Sequence, residues 1–159
     1  MKEIERRFLV EGIAHRGLAS RICKIRQGYL GEVNGLEVRV RVSAETGCIT
    51  FKSHKVRGEG VEVECRIDLD RAYELLSLCE SKEILKTRYV VSFAGHDFEV
   101  DEFHGRHQGL VVAEVELSEI NEDVALPQWL GKEITGDDRY SNFVLACGSR
   151  GGSSEGKSR

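Results

Sequence analysis

Residues 3–10, which read Glu-Ile-Glu-Arg-Arg-Phe-Leu-Val, contain the pattern that decides the fold of this chain. The apolar residues of this segment are typical of a β-strand, in which residues i and i+2 point to the same face. The charged side chains of Glu3, Glu5 and Arg7 would then share one face, while Phe8 lies on the other. This segment therefore predicts a strand with one charged and one apolar face.

The same spacing of two like charges recurs in further apolar segments. These are the pairs Arg39/Arg41, Glu62/Glu64, Lys86/Arg88, Glu99/Asp101 and Glu114/Glu116. One such pair would be an ordinary solvent-exposed strand face, but a series divided between acidic and basic residues indicates one shared charged surface. Carboxylates bind hard metal ions, and rows of Arg and Lys bind phosphates. A surface that carries both is suited to a metal–polyphosphate complex.

The composition indicates a single domain. The chain has 159 residues, of which 40% are hydrophobic and 31% charged, and its net charge is −4. We expect one domain over residues 1–148, followed by a flexible Gly/Ser-rich tail over residues 149–159. The acidic balance argues against general nucleic-acid binding. No apolar run is long enough to span a membrane and no signal-peptide core is present, so a cytoplasmic protein without membrane association is expected.

The cysteines and histidines carry no recognisable site. The five cysteines form no CxxC pair, so free thiols in a reducing compartment are expected. The histidines lack the close spacing of metal ligands, and all of them, including His15, are predicted to lie at the surface.

The chain contains eight segments that are typical of β-strands, some of them joined by turn signals such as Asn34-Gly35. The predicted strands are residues 2–10, 24–32, 36–43, 48–54, 60–67, 83–94, 97–104 and 110–118. Between the fifth and the sixth strand, a helix is predicted to follow Asp70 as its N-cap, with an apolar stripe that starts at Ala72. Residues 127–130 are predicted to form a turn or a short helical piece.

These strands predict an α+β fold that is mainly antiparallel β. About eight strands with short turns indicate a closed or nearly closed barrel, whose lumen can hold one small ligand. If the charged faces point inwards, a few helices and loops must cover the apolar outer faces. Buried charges are costly unless they are paired, hydrated or bound to a ligand, and a lumen with similar numbers of both signs makes this arrangement tolerable.

Nine segments, in this order, resemble the CYTH superfamily, the triphosphate tunnel metalloenzymes. The N-terminal signature of that family is Glu-x-Glu-x-Lys, and Arg7 stands at the position of the lysine in EIERR (3–7). The other segments are IRQGYL (25–30), EVRVR (37–41), TFKS (50–53), EVE (62–64), KTRY (86–89), FEVD (98–101), AEVE (113–116) and TGDDRYSN (135–142). The match is closest to the short, single-domain bacterial members.

The resemblance implies that a triphosphate binds in the tunnel together with Mg²⁺ or Mn²⁺. It implies metal contacts, direct or through water, from Glu3, Glu5, Asp101, Glu114 and Glu116. It implies phosphate contacts from Arg26, Arg39, Arg41, Lys52, Lys86, Arg88 and Arg139. The candidate catalytic residues are Lys86, Glu64 and Glu62. The two glutamates would either bind a second metal ion or orient the attacking water. Arg7 is predicted to be a further phosphate ligand and not a base, because a guanidinium stays protonated.

The function predicted from these features is metal-dependent hydrolysis of a triphosphate, with inorganic tripolyphosphate as the first choice. Alternatives on the same scaffold are a class IV-type adenylyl cyclase and a nucleoside or thiamine triphosphatase. A non-catalytic polyphosphate- or nucleotide-binding module is a further alternative, and Arg7 in place of the family lysine is the feature that favours it. The expected partner is a small-molecule triphosphate, with a homodimer left open.

Overall fold

The computed structural model describes residues 4–53 and 60–148, in which nine strands form one antiparallel sheet. The strands are β1 (Glu5–Val10), β2 (Arg21–Val33), β3 (Leu36–Ser43), β4 (Thr46–Ser53), β5 (Glu62–Ile67), β6 (Glu83–Phe93), β7 (His96–Phe103), β8 (Val111–Glu116) and β9 (Leu130–Glu133). The predicted metal ligand Glu3 and the predicted tail, residues 149–159, lie outside the described residues.

The strands are arranged in the order β5-β4-β3-β2-β6-β7-β8-β1-β9. In the part of the chain that the structure describes, the edge strands β5 and β9 do not pair, so backbone hydrogen bonds do not close the sheet. The mainly antiparallel fold is as predicted, but the sheet has nine strands where eight were expected. The additional strand β9 begins at Leu130 and pairs with β1. Its sequence, Leu-Gly-Lys-Glu, lacks the alternating β-branched residues that mark a strand.

Strand β3 shows why the charges face inwards. Arg39 and Arg41 point to the concave side of the sheet, whereas Val40 and Val42 on the opposite face are buried beneath a helix. The helix is α2 (Leu69–Ser77), and its residues Ala72 and Leu76 pack against the two valines. Burial of these apolar side chains stabilises the outer layer, which leaves the alternate, charged positions to line the interior.

Helix α2 begins two residues earlier than its sequence predicts. Leu69 is the first helical residue and Asp68 occupies the N-cap position, while Asp70 lies in the first turn. A carboxylate in the first turn faces the partial positive charge of the helix N-terminus, so Asp70 still favours the helix start. Both Asp68 and Asp70 are acceptable N-terminal residues, and the sequence pattern did not separate them.

A second region of the outer surface is covered by α1 (Ala14–Leu18), which carries a buried histidine. The prediction that His15 lies at the surface is wrong, because its ring is fully buried between Tyr89 and Trp129. Its Nε2 lies 2.7 Å from the Glu102 carboxylate, which also accepts two hydrogen bonds from Arg16. These contacts fix α1 to the outer face of β7.

The C-terminal helix α3 (Asn142–Cys147) fills one end of the space inside the curved sheet. It begins after Ser141, whose hydroxyl accepts a hydrogen bond from the backbone N–H of Val144. Phe143 packs edge to face on Tyr29, with the ring centroids 5.3 Å apart. Phe103 and Ile134 belong to the same buried cluster, so this end of the interior is apolar.

Two further expectations concern the cysteines and membrane association. All five cysteines are free thiols, as predicted. Among the described residues, no helix combines the length and the apolar character needed to cross a membrane.

Candidate active site

The concave side of the sheet encloses a charged cavity of about 790 Å³. Its walls come from strands β1 to β8, because each strand presents every second side chain to the same side. Antiparallel pairing places these side chains next to each other: Arg39 lies opposite Tyr29, and Arg7 lies opposite Glu114. Strand register, rather than proximity in sequence, therefore brings at least one member of each predicted charge pair to this cavity.

Among the described residues, seven basic residues line this cavity. They are Arg7, Arg39, Arg41, Lys52, Lys86 and Arg88, together with Arg6, whose guanidinium pairs with Glu133. Five of the seven belong to β3, β4 and β6, so positive charge is concentrated on one part of the wall. An Arg-rich wall of this kind can hold phosphate oxygens through bidentate hydrogen bonds.

Lys86 and Arg88 are held by a buried carboxylate. Lys86 Nζ donates to Asp101 at 2.6 Å, and Arg88 donates to both Asp101 oxygens at 2.7 and 2.8 Å and also to Glu99. Burial lowers the pKa of Lys86 to about 8, although Asp101 opposes this shift. Burial would raise the pKa of Asp101, but Lys86 and Arg88 together lower it to about 2. Asp101 thus remains ionised and fixes two cations at the wall.

Acidic side chains gather on the neighbouring strands β1, β7 and β8. Those lining the cavity here are Glu5, Glu99, Glu114 and Glu116. Burial and the adjacent carboxylate of Glu5 raise the pKa of Glu114, and Arg7 opposes this shift. Two carboxylates that repel each other at a partly buried position are stabilised by a shared cation.

A divalent metal ion fits the chemistry of this acidic group, although its full ligand set is not assembled there. Within residues 4–53 and 60–148, no three Asp, Glu, His or Cys side chains are grouped closely enough to enclose a metal ion. The pair Glu5 and Glu114 supplies hard oxygen ligands, which Mg²⁺ and Mn²⁺ prefer. Asp101 does not line the cavity, and its two oxygens accept hydrogen bonds from Lys86 and Arg88, so the structure places it as a partner of cations.

Arg7 joins the acidic wall to the segment that precedes α3. Its Nε lies 3.3 Å from Glu114, and its Nη2 donates to the carbonyl oxygen of Tyr140 at 3.0 Å. The backbone of Arg7 also pairs with residues 134 and 135. The guanidinium therefore reaches both the cavity and the backbone next to Ser141 and Asn142.

The two glutamates of β5 pair with the basic wall. Glu62 contacts Arg39 at 3.1 Å and Lys52 at 3.4 Å, and it lines the cavity. Glu64 contacts Arg41 at 2.9 Å but does not line the cavity. These two predicted catalytic residues are thus placed beside predicted phosphate ligands and away from the acidic group of β1, β7 and β8.

Two predicted phosphate ligands lie elsewhere. Arg26 is on the outer face of β2, where its guanidinium donates to both oxygens of Glu83 at 3.0 Å. Arg139 is largely exposed and pairs with Asp137 at 2.6 Å. Neither arginine lines the cavity: Arg26 lies on the opposite face of the sheet, and Arg139 is paired with a carboxylate in the segment before α3.

The cavity also contains residues that the charge-pair pattern did not single out. Gln27 and Tyr29 are fully buried on β2, and Gln27 donates to the Tyr29 hydroxyl at 2.8 Å. Burial raises the pKa of Tyr29 to about 12, so it stays protonated. Glu37 on β3 also lines the cavity. Glu37 lies two residues before Arg39 on the same strand face, so the alternation of charges in the sequence could have indicated it. Gln27 and Tyr29 carry no charge and could not be found from that alternation.

The segment between β9 and α3 and the first two residues of α3 also line the cavity. The segment contributes Thr135, Gly136, Asp137, Asp138 and Ser141, and α3 contributes Asn142 and Phe143. This segment turns sharply through Gly136, at a φ of 75°, which favours glycine.

Comparison with known proteins agrees with this geometry. The family model of the CYTH domain matches residues 1–141. An inorganic triphosphatase of Acetivibrio thermocellus is 43% identical, covering 91% of this chain and 92% of that protein, and one of Nitrosomonas europaea is 36% identical, covering 92% and 97%. A solved crystal structure of an inorganic triphosphatase superposes with a TM-score of 0.69 at 32% identity, covering 96% and 98% of the two chains. With a matching family model, similar relatives and a charged cavity inside an antiparallel sheet, this chain belongs to the CYTH domain family.

Proposed function

We propose that this protein is a triphosphatase that hydrolyses inorganic tripolyphosphate with the help of a divalent metal ion. The observation that carries the proposal is the separation of charge in the cavity. Most of the basic residues that line the described cavity lie on β3, β4 and β6, and a group of glutamates lies on β1, β7 and β8. The similarity to relatives named inorganic triphosphatase supports the same substrate.

The basic wall would bind the phosphate chain. Arg39 and Arg88 are largely buried and held by carboxylates, so their guanidinium groups are oriented before a ligand arrives. Lys86 adds a buried ammonium beside them. In a partly dehydrated cavity, these cations attract a highly charged anion more strongly than exposed side chains would.

The acidic group would hold the metal ion. Glu5 and Glu114 are its best-placed ligands among the described residues, and Glu116 lines the same wall. A bound divalent ion would polarise a phosphoryl oxygen and position a water molecule. Arg7 contacts Glu114 and Arg88 contacts Glu99, so these two cations of the lining lie beside the acidic group, where they would stabilise charge that develops on the phosphate oxygens.

The apolar end of the cavity supports a substrate without an organic group. Tyr29 and Phe143 are the aromatic residues of its described lining, and both are buried against each other. Neither ring presents a free face on which a nucleobase or a thiamine ring could stack. A linear triphosphate needs only the charged side chains.

Arg7 provides a test of how the phosphates are held. Arg7→Lys is expected to keep most activity and to leave the pH–rate profile unchanged, because both side chains are cations at working pH. Arg7→Ala is expected to lose on the order of 1.5–3 kcal/mol of transition-state stabilisation, typical of a charge-assisted hydrogen bond. Steady-state kinetics of phosphate release between pH 6 and 10 measure both effects.

Arg26→Ala is the matched control for the arginine series, because its guanidinium pairs with Glu83 on the outer face. Its kinetics should remain close to those of the wild type. A contrary result would be a strong increase in turnover in Arg7→Lys, with a new alkaline limb in the pH–rate profile. Position 7 would then take part in a proton transfer that arginine cannot perform, and the native chain would be a weakened enzyme or a binding module.

The proposed substrate is tested by comparing phosphate release from tripolyphosphate, ATP and thiamine triphosphate with Mg²⁺ or Mn²⁺. The highest kcat/KM is expected for tripolyphosphate. Formation of cyclic AMP from ATP would identify a cyclase instead. Binding of tripolyphosphate without release of phosphate from any of the three would identify a binding module.

A further inference from the structure

Strand β5 places a carboxylate against the part of the cavity wall that carries Arg39 and Lys52. The Arg39 Nη2 lies 3.1 Å from one oxygen of Glu62, and the Lys52 Nζ lies 3.4 Å from the other. Glu64, two residues further along the same face of β5, makes the corresponding contact with Arg41 at 2.9 Å, outside the cavity lining. The carboxylates of Glu62 and Glu64 on β5 thus contact basic side chains of β3 and β4.

The surroundings of Glu62 resemble those of a bound phosphate group. Its two oxygens face two different cations, and its side chain is about one-fifth exposed while lining the cavity. Arg39, in contrast, is 9% exposed and cannot turn away into solvent. A phosphate that reached Arg39 and Lys52 would therefore compete with the Glu62 carboxylate for the same donors.

Strand β5 is suited to such exchange because it is an edge strand. Within residues 4–53 and 60–148 it pairs with β4 alone, and most of its residues are exposed. Edge strands of this kind are held by fewer contacts than the interior strands of a sheet.

We infer that Glu62 occupies a phosphate subsite in the absence of substrate, orients Arg39 and Lys52 there, and is displaced by the triphosphate. This inference rests on the proposed function, since it identifies part of the site where the triphosphate binds. Glu62 is then a positioning residue and not the ligand of a second metal ion or the group that orients water. It orders the basic side chains of the empty cavity and neutralises part of their charge, and it lowers the affinity for the substrate anion.

The charge of Glu62 determines in which direction its substitution should change the affinity for tripolyphosphate. Glu62→Gln keeps a hydrogen-bond acceptor of the same size but removes one negative charge beside two cations. The cavity becomes more positive, so a polyvalent anion binds more tightly. A catalytic or metal-binding Glu62 predicts a different result, namely lower turnover without a gain in affinity.

The test is equilibrium binding of tripolyphosphate, measured by titration calorimetry in the presence of EDTA so that no hydrolysis interferes. Glu62→Gln is expected to lower the Kd by at least about tenfold at low salt, and the difference should shrink as salt screens the charges. Glu83→Gln is the matched control, because it removes the same charge from an arginine pair on the outer face. Its Kd should equal that of the wild type.

Steady-state kinetics separate this role from a purely structural one. With Mg²⁺ present, the KM of Glu62→Gln is expected to fall by a factor similar to the change in Kd. An unchanged or higher Kd in Glu62→Gln would overturn the inference, as would an equal decrease in Glu83→Gln, which would indicate a general charge effect. Absence of tripolyphosphate binding to the wild type would contradict the proposed function itself.

Discussion

Chelation with EDTA is expected to abolish phosphate release from tripolyphosphate, and added Mg²⁺ or Mn²⁺ should restore it. The reason lies in the acidic wall, where burial and the adjacent carboxylate of Glu5 raise the pKa of Glu114. Both glutamates are all-oxygen ligands, and the cysteines and histidines of the described chain are not grouped around a metal site. Full turnover after exhaustive chelation would exclude the metal-dependent mechanism.

The same carboxylates predict a change in stability that can be measured without turnover. A carboxylate whose pKa is raised in the folded state is destabilising once the pH rises above its unfolded value, because the native state must then ionise at a cost. Glu114→Gln should therefore raise the melting temperature of the chelated protein near neutral pH. Addition of Mg²⁺ should stabilise the wild type and have little effect on Glu114→Gln. Equal stabilisation of both proteins would place the metal ion elsewhere.

Replacement of Lys86 by methionine is expected to reduce kcat/KM on the order of 100-fold, which corresponds to about 3 kcal/mol. The substitution removes a buried cation from the phosphate-binding wall but keeps a side chain of similar length. Asp101 still accepts hydrogen bonds from Arg88, so its charge remains compensated. Circular dichroism and the melting temperature verify that the variant is folded. A folded variant with the kcat/KM of the wild type would show that Lys86 does not take part in binding the phosphates.

The pH dependence gives Lys86 a specific signature. Because burial lowers its pKa to about 8, the ammonium loses its proton as the pH rises through this value. Only the protonated form attracts phosphate, so the Kd for tripolyphosphate in EDTA should increase above about pH 8. Lys86→Arg keeps its charge and should remove this increase up to pH 10. A wild-type Kd that stays constant between pH 7 and 10 would contradict this assignment.

Sequence periodicity predicted the charged wall because the wall depends on local alternation. Arg39/Arg41 and Lys86/Arg88 face the cavity as their spacing predicts. Val40, between the first two, is buried on the outer face, whereas Thr87, between the second two, is a polar residue that is only partly buried. The orientation of Arg26 could not be predicted in this way, because β2 carries polar and apolar residues on both faces. The inward positions of β2 are occupied by Ile25, Gln27 and Tyr29, and the pairing of β2 with β3 and β6 determines this orientation.

The side-chain contacts between neighbouring strands could not be predicted from the sequence. The placement of Glu62 against Arg39 and Lys52, and not near the acidic wall, depends on the register of β5 with β4. The pairing of Asp101 with Lys86 and Arg88 likewise depends on the β6–β7 register. Both residues were predicted from their place in a charged pair, which indicates the face of a strand but not the neighbour across it.

Phosphorus NMR of a reaction with tripolyphosphate and Mg²⁺ tests the central claim most directly, because it follows the substrate and every product in one sample. The account predicts loss of the tripolyphosphate signals and the appearance of orthophosphate and pyrophosphate in equal amounts, with no reaction in EDTA and a strongly reduced rate in Lys86→Met. Tripolyphosphate that remains intact in the presence of Mg²⁺ or Mn²⁺, while ATP is converted, would contradict it.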